Sequence, residues 1–369
     1  MHNRLGTTLN GPRPVYDGPA MAKTVLVCEA QVPFVHGGAE LHVRGLVDEL
    51  TRRGYRAEKV SVPFKWYPKD ELLAQAAAWR LIDLSESNGV RIDTVIATKF
   101  PTYFVRHPRK VTWLFHQYRA IYDLFDTPYS EFAHTEPDVR LRDRLIALDN
   151  EVLGESARLF SNARNTAARL SRYNGLTAEP LYHPPPLAGK MTAGPLGDYV
   201  LSVGRLEANK RVDLIVRALA HADRRVRLIV AGDGPLRAQL EGVAAHAGVA
   251  DRVTFAGAVT EAQLIDLYAG ALAVVFPPFD EDYGYVTLEA FLARKAVVTT
   301  ADAGGPLEFV EDGVTGLVCD PTPEALGAAI ARLAAEPRAA QALGDAGYER
   351  ARAITWDGVV DRLMADDDG

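Results

Sequence analysis

The sequence predicts an α/β protein built from two Rossmann-like, doubly wound domains that face each other across a cleft. Three features predict it. Short apolar runs alternate with helix-length amphipathic stretches twice over, once on each side of the middle of the chain. A Pro- and Gly-rich break separates the two series: His183-Pro184-Pro185-Pro186, with Gly189, Gly194, Pro195 and Gly197 close behind. A length of 369 residues with 48% apolar content suits two cores of ordinary size rather than one. Alternating βα units imply parallel sheets covered by helices on both faces. Ligands in such sheets sit outside the carboxyl ends of the strands.

In the first series, residues 24–28 form a short apolar run, as expected of a strand buried on both faces. A turn at Gly37-Gly38 follows. A helix is expected over 39–53, stopped by Gly54. Further strands fit 57–62, 94–97, 111–115 and 158–161, with helices at 70–84, 138–156 and 166–173. The second series has strands at 199–203, 227–231, 253–255, 272–276 and 296–300. The last segment, 356–364, is amphipathic and lies beyond the second series. We expect it to return to the first domain. The domain plan is therefore an N-terminal domain over 21–185 that also takes back a helix near 353–365, and a C-terminal domain over 195–352. Residues 1–20 are rich in Gly, Pro, Asn and Thr and lack an apolar signal core, so they read as a disordered extension.

Composition excludes several classes. No run approaches the roughly 18 apolar residues a membrane-spanning helix needs. Cys28 and Cys319 stand alone, which makes neither a disulfide framework nor a zinc knuckle. Both read as buried strand residues in a reducing, cytoplasmic setting. The net charge of −7 is unevenly spread: residues 1–190 carry 25 Lys and Arg against 21 Asp and Glu, and residues 191–369 carry 16 against 27. The basic half suits an anionic acceptor or lipid surface, or is ordinary surface scatter. No nucleic-acid partner is expected.

Two constellations carry chemistry. In Ser202-Val203-Gly204-Arg205-Leu206-Glu207-Ala208-Asn209-Lys210 a strand ends, the chain turns, and two long cations flank a short loop. A pyrophosphate asks for such a pair, a forked guanidinium and a mobile ammonium. Two solvated surface cations are the plainer reading; as diphosphate ligands both are expected to be exposed in the empty cleft. In Phe279-Asp280-Glu281-Asp282-Tyr283-Gly284-Tyr285-Val286-Thr287-Leu288-Glu289, Gly284 turns the backbone and a helix begins near Tyr285. A helix N-terminus offers unpaired N–H groups to phosphate. Glu281 lies before that terminus and Glu289 about one turn inside it, so the two can take hydroxyls on either side of one phosphate. The plainer reading gives Glu281 to the helix dipole and Glu289 to the surface.

With Gly37-Gly38-Ala39-Glu40, Gly232-Asp233-Gly234-Pro235 and Gly304-Gly305-Pro306-Leu307-Glu308, these motifs resemble the family-4 (group 1) retaining glycosyltransferases of the GT-B fold. The resemblance runs from Met21 over nearly the whole chain. It implies that Arg205 and Lys210 bind the diphosphate of a nucleotide-sugar donor and that Glu289 holds its ribose hydroxyls. It gives Glu281 to hydroxyls of the transferred sugar and the N–H groups of Gly284, Tyr285 and Val286 to phosphate and sugar. It sets Ala258 and Val259 against the base. Gly37 and Gly38 would approach from the opposite domain, and His116 would face the transferred sugar. The donor is a co-substrate, so no cofactor and no metal are implied.

The implied reaction moves a hexose from a UDP- or GDP-type donor to a glycan or lipid-linked glycan, with retention of configuration, in polysaccharide or glycoconjugate synthesis. A nucleotide-sugar epimerase, a sugar phosphorylase and a non-catalytic sugar-nucleotide binder are the rivals. The phosphorylase lacks its usual length and pyridoxal-bearing region here. Residues 115–129, with Arg119, Tyr122 and Asp123, read as an acceptor wall. Phe64-Lys65-Trp66-Tyr67 reads either as a peripheral contact with an anionic membrane or as part of an acceptor cleft. In the helix that follows, Leu72, Leu73, Ala76 and Trp79 read as packing on the sheet.

Overall fold

The structure, a computed structural model, describes residues 22–34 and 37–366; the stretch read as an extension lies outside them. The first domain runs β1 (Thr24–Gln31), α1 (Gly38–Arg52), β2 (Arg56–Pro63), α2 (Glu71–Leu81), a small antiparallel pair β3 (Glu86–Ser87) and β4 (Val90–Arg91), β5 (Thr94–Ala97), β6 (Lys110–Leu114), α3 (Glu136–Gly154), β7 (Arg158–Ser161), α4 (Arg164–Asn174) and β8 (Glu179–Pro180). Its parallel sheet has the order β2-β1-β5-β6-β7-β8. The chain winds outward from β1 in both directions, which puts the topological switch between β1 and β5. Crevices for ligands form at such a point, beyond the carboxyl ends.

The second domain repeats the scheme. It runs β9 (Tyr199–Val203), α5 (Val212–Ala218), β10 (Arg227–Ala231), α6 (Arg237–His246), β11 (Val253–Gly257), α7 (Glu261–Gly270), β12 (Ala273–Val275), α8 (Tyr285–Leu292), β13 (Ala296–Thr300), β14 (Gly316–Cys319), α9 (Pro323–Ala335) and α10 (Pro337–Ala351). The sheet order β11-β10-β9-β12-β13-β14 puts its switch between β9 and β12. The loops after these two strands are the ones carrying the Arg205–Lys210 and Glu281 motifs. β14, α9 and α10 complete the second domain beyond the last strand read from the sequence.

The last helix, α11 (Trp356–Met364), leaves this domain and packs on the first. Val359, Val360, Leu363 and Met364 are buried with Val25, Val27, Val43, Leu46 and Leu50. A nine-residue helix with one apolar face is marginal alone, and burying that face supplies its stability. Helix α2 ends at Leu81 rather than 84, because Ile82 takes extended dihedrals. Its Leu72, Ala76 and Trp79 are buried in the core under the sheet. Phe64 and Trp66 are half-buried against that core, and Tyr67 is the exposed aromatic of the loop. Cys28 is buried on β1, whereas Cys319 on β14 is only half-buried.

The segment between β6 and α3 has little regular structure and is held from beneath by a polar chain. Tyr122 Oη donates to Asp149 Oδ2 at 2.6 Å. Asn174 Nδ2 donates to Tyr122 Oη at 3.2 Å, and Gln117 Nε2 donates to Asn174 Oδ1 at 2.9 Å. Asp149 is fully buried. Burial pushes its carboxyl up to about 7, against the Tyr122 hydrogen bond, which favours the charged form. A carboxyl raised in the native state binds its proton more tightly there than in the unfolded chain. Its contribution to stability is therefore complete below the unfolded value near 4 and is lost as pH rises through about 7. Asp149→Asn keeps an acceptor for Tyr122 and removes the titration. Between pH 4 and 8 the wild type should lose on the order of 4 kcal/mol relative to this variant, read from denaturant midpoints. Parallel pH profiles for the two proteins would contradict the assignment.

Candidate functional site

The loop after β9 makes a short 3-10 turn at Ala208–Lys210. Arg205 keeps 53% of its side chain exposed and pairs with its neighbour Glu207 at 3.0 Å. Lys210 departs from the sequence expectation of an exposed cation. It retains 19% exposure, and its ammonium rests on the Glu281 carboxylate across the loop. Arg211 fixes this arrangement. It takes a left-handed conformation with φ 49°, and its guanidinium donates to the carbonyls of Pro277 at 2.8 Å and Pro278 at 2.7 Å. It also pairs with Asp302 at 2.7 Å, so one side chain joins the loops after β9, β12 and β13.

The acidic loop between β12 and α8 lies against the 302–305 loop through backbone bonds. Glu281 N donates to Ala303 O at 2.8 Å, and Gly305 N donates to Glu281 O at 2.6 Å. Gly304 has to be glycine: its φ is 72°, and a Cβ there would fall 2.7 Å from both Asp280 Oδ1 and Glu281 O. Gly284 caps α8 at φ 80°, where a Cβ would meet the Phe276 ring at 3.0 Å. The amides of Tyr285 and Val286 occupy the first turn of α8, where N–H groups have no intrahelical partner. Glu289, one turn on, is buried at 8% exposure, not a surface charge. Burial pushes its carboxyl above the usual range, opposed by a 2.7 Å hydrogen bond from Tyr268 Oη. Val259 is half-buried in the cluster that holds Tyr268, Tyr285 and Leu288, while Ala258 beside it is exposed.

From the first domain, the turn into α1 reaches the same place. Gly37 N donates to Glu40 Oε2 at 2.9 Å, and Glu40 pairs with Lys99 at 3.2 Å. A Cβ on Gly38 would stand 3.4 Å from the Tyr285 ring, so this turn abuts the start of α8. His116 is half-buried at the end of β6, with Nδ1 2.7 Å from Gln117 O. Burial lowers its imidazole below the ordinary range, and the nearby Asp282 carboxylate opposes that. Eleven of the twelve residues picked from the sequence thus lie on loops or helix starts at the facing ends of the two sheets, and Glu289 lies one turn inside α8.

The expected acceptor wall is a correction. Tyr122 is buried, and Arg119 and Asp123 are spent on ion pairs. Arg119 reaches Asp280 at 2.9 Å and Asp282 at 3.6 Å across the domain boundary. Arg169, on α4, meets Asp282 at 2.5 Å and Asp123 at 3.0 Å. Burial alone would raise the Asp282 carboxyl, but the two guanidiniums hold it well below the usual range. Asn165 Nδ2 donates to Asp280 Oδ1 at 2.8 Å and to Glu281 O at 3.1 Å. In return Glu308 accepts the first amides of α4, from Arg164 at 3.0 Å and Asn165 at 2.7 Å. Helix α4 is therefore capped by the other domain, which explains its start two residues earlier than the sequence suggests. The Tyr283 hydroxyl donates to His183 O at 2.6 Å, and Tyr285 Oη shares a 2.7 Å hydrogen bond with His183 Nε2. Sequence reasoning missed Arg169, Asn165, His183 and Tyr268. The Arg169–Asp282 pair spans 113 positions, and no local pattern marks such a partner.

The three neighbouring carboxylates diverge: Asp280 and Asp282 turn to arginines of the first domain, and Glu281 turns to Lys210. Among the described residues, no group of three or more His, Cys, Asp or Glu converges as a metal site. No helix among them is long and apolar enough to cross a membrane.

Residues 196–350 match the family model for "Glycosyl transferases group 1". The chain is similar to D-inositol 3-phosphate glycosyltransferase of Segniliparus rotundus, with 28% identity over 387 residues, covering 89% of this chain and 84% of that protein. In fold it resembles sucrose-phosphate synthase from Thermosynechococcus elongatus, with a TM-score of 0.72 and 19% identity over 92% of this chain and 97% of that one. It also resembles HepE from Anabaena, solved in complex with UDP and glucose, with a TM-score of 0.66 and 17% identity over 93% and 98%. At these identities the structural likeness establishes the two-domain GT-B fold.

Proposed function

We propose that the chain is a group 1 glycosyltransferase of the GT-B fold that uses a nucleotide sugar, and that it acts as a retaining, metal-independent hexosyltransferase on a glycan or lipid-linked glycan. The observation that carries this reading is the Lys210–Glu281 pair set beside the open first turn of α8, with the buried Glu289 one turn further on. In this reading 195–352 is the donor-binding domain and 21–185 the acceptor-binding domain.

Lys210 and Arg205 take the donor diphosphate, together with the amides of Gly284, Tyr285 and Val286. Glu289 accepts from the ribose hydroxyls, with Tyr268 holding its second oxygen. Ala258 and Val259 border the base. Glu281 orients the transferred sugar from one side. His116, Gly37 and Gly38 approach it from the other. As the glycosidic bond to phosphate breaks, negative charge builds on the leaving diphosphate, and preorganised cations and amides stabilise that charge. These protein groups supply what a metal supplies in other transferases. The departing phosphate can take the acceptor proton on the same face, which keeps the anomeric configuration without a protein nucleophile.

A thermal-shift panel of UDP-, GDP- and ADP-sugars identifies the donor, since a ligand that binds only the folded state stabilises it. With that donor, Lys210→Ala should lower transfer by a factor on the order of 10²–10³ with the fold intact. The new linkage should keep the donor's anomeric configuration by NMR. Transfer within a few-fold of wild type, or an inverted product, would refute the reading.

Peripheral contact with an anionic bilayer rests on Lys65 and the exposed Tyr67, since Phe64 and Trp66 face the core. The protein should sediment with anionic vesicles at low salt, and Lys65→Ser with Tyr67→Ser should abolish that. Wild type left in the supernatant would remove the membrane from the account.

A further inference from the structure

The acidic loop belongs to the C-terminal domain, yet the N-terminal domain and the hinge hold it at almost every residue. Asp280 is held by Arg119 and Asn165. The Glu281 carbonyl accepts from Asn165. Asp282 is held by Arg169 and Arg119. Tyr283 and Tyr285 are tied to His183 of the hinge. The side chain left out of this grip is Glu281 itself, which faces Lys210. Two arginines, Arg119 and Arg169, are shared among three carboxylates, Asp123, Asp280 and Asp282, and Asp123 comes from the same domain as the arginines. Both guanidiniums are therefore already oriented within the N-terminal domain before they meet the loop. A forked, pre-oriented donor fixes the position and direction of a carboxylate more tightly than a point charge does.

We propose that Arg119, Arg169 and Asp282 are positioning residues for the transfer reaction: the N-terminal domain grips the neighbours of Glu281 and thereby sets its carboxylate against the sugar. The proposal rests on the reading of Glu281 as the group facing the transferred sugar. It makes the reactive arrangement a joint product of both domains. The nucleotide sites on the β9 loop and on α8 are, by contrast, built within the C-terminal domain. Weakening the grip should therefore spare nucleotide binding and impair turnover.

Asp282→Asn tests this. The substitution is isosteric and leaves two guanidiniums facing two carboxylates, so the variant is expected to fold with a melting temperature close to wild type. Arg119→Lys, which keeps the charge and loses the fork, is the second variant. Both are measured by calorimetry with the nucleoside diphosphate of the donor that the thermal-shift panel selects, by kinetics with that nucleotide sugar, and without ligand by hydrogen exchange at the amides of 280–287. The proposal predicts faster exchange in that segment, nucleoside-diphosphate affinity within about threefold, and a kcat reduced at least tenfold with little change in the donor KM. Unchanged exchange overturns it, and so does faster exchange with wild-type kcat. Lost turnover with unchanged exchange also overturns it, because Asp282 would then act without positioning anything. Glu281→Gln serves as the comparator. If that variant keeps full activity, the role given to Glu281 fails, while the exchange result still decides whether the N-terminal domain holds the loop.

Discussion

The arrangement depends on one contact between domains: the ion cluster of Arg119, Arg169, Asp123, Asp280 and Asp282, mostly removed from solvent where the two sheets face each other. A cluster of this kind contributes little net stability, because taking charges out of water costs about as much as their attraction returns. Its strength lies in direction. Mispaired or half-paired charges in that position are costly, so other alignments of the two domains are disfavoured. Neighbouring contacts point the same way. Glu308 caps α4 across the boundary, and a Cβ at Gly38 would touch Tyr285. The C-terminal helix returns to the first domain as a second tie.

Within that alignment the loops after β9 and β12 are charged yet balanced. Lys210 and Glu281 neutralise each other, and Arg211 closes the framework around them through the carbonyls of Pro277 and Pro278. Under the proposed function, a diphosphate entering here would offer Lys210 one anion in exchange for another, so little uncompensated charge would arise at any stage. Glu281 would then be free to turn toward hydroxyl groups, as the proposed sugar contact requires. Glu289 follows a different rule. Buried, and held at one oxygen by Tyr268, it has a raised carboxyl whose other oxygen can accept from a hydroxyl.

Much of this was legible in the sequence, and the reasons are local. The strands at 94–97, 158–161, 199–203, 227–231 and 296–300 have the bounds read from their apolar runs, because a strand covered on both faces admits few polar residues. The Pro-rich hinge and the returning helix at 356–364 were equally plain. The placement of Glu281, Glu289 and Gly284 around the start of α8 follows from spacing alone. What the sequence concealed is non-local. Lys210 is not an exposed cation because Glu281, 71 positions away, comes to meet it. Arg119 and Asp123 do not line an acceptor wall because Asp280 and Asp282 of the other domain engage the same cluster. Glu308 was visible within a Gly-rich motif, but nothing near it shows that it caps a helix of the opposite domain.

Under the proposed function, a nucleotide sugar is held by the C-terminal loops while the N-terminal domain fixes the group that faces the sugar. The most direct measurement is a crystal structure with a non-transferable analogue of the nucleotide sugar that the thermal-shift panel selects. In that complex the Lys210 ammonium should leave Glu281 for the diphosphate, Glu281 should turn to a sugar hydroxyl, and Asp282 should stay on Arg119 and Arg169. A diphosphate bound elsewhere with the Lys210–Glu281 pair intact, or a sugar bound while Asp282 has left both arginines, would contradict this arrangement.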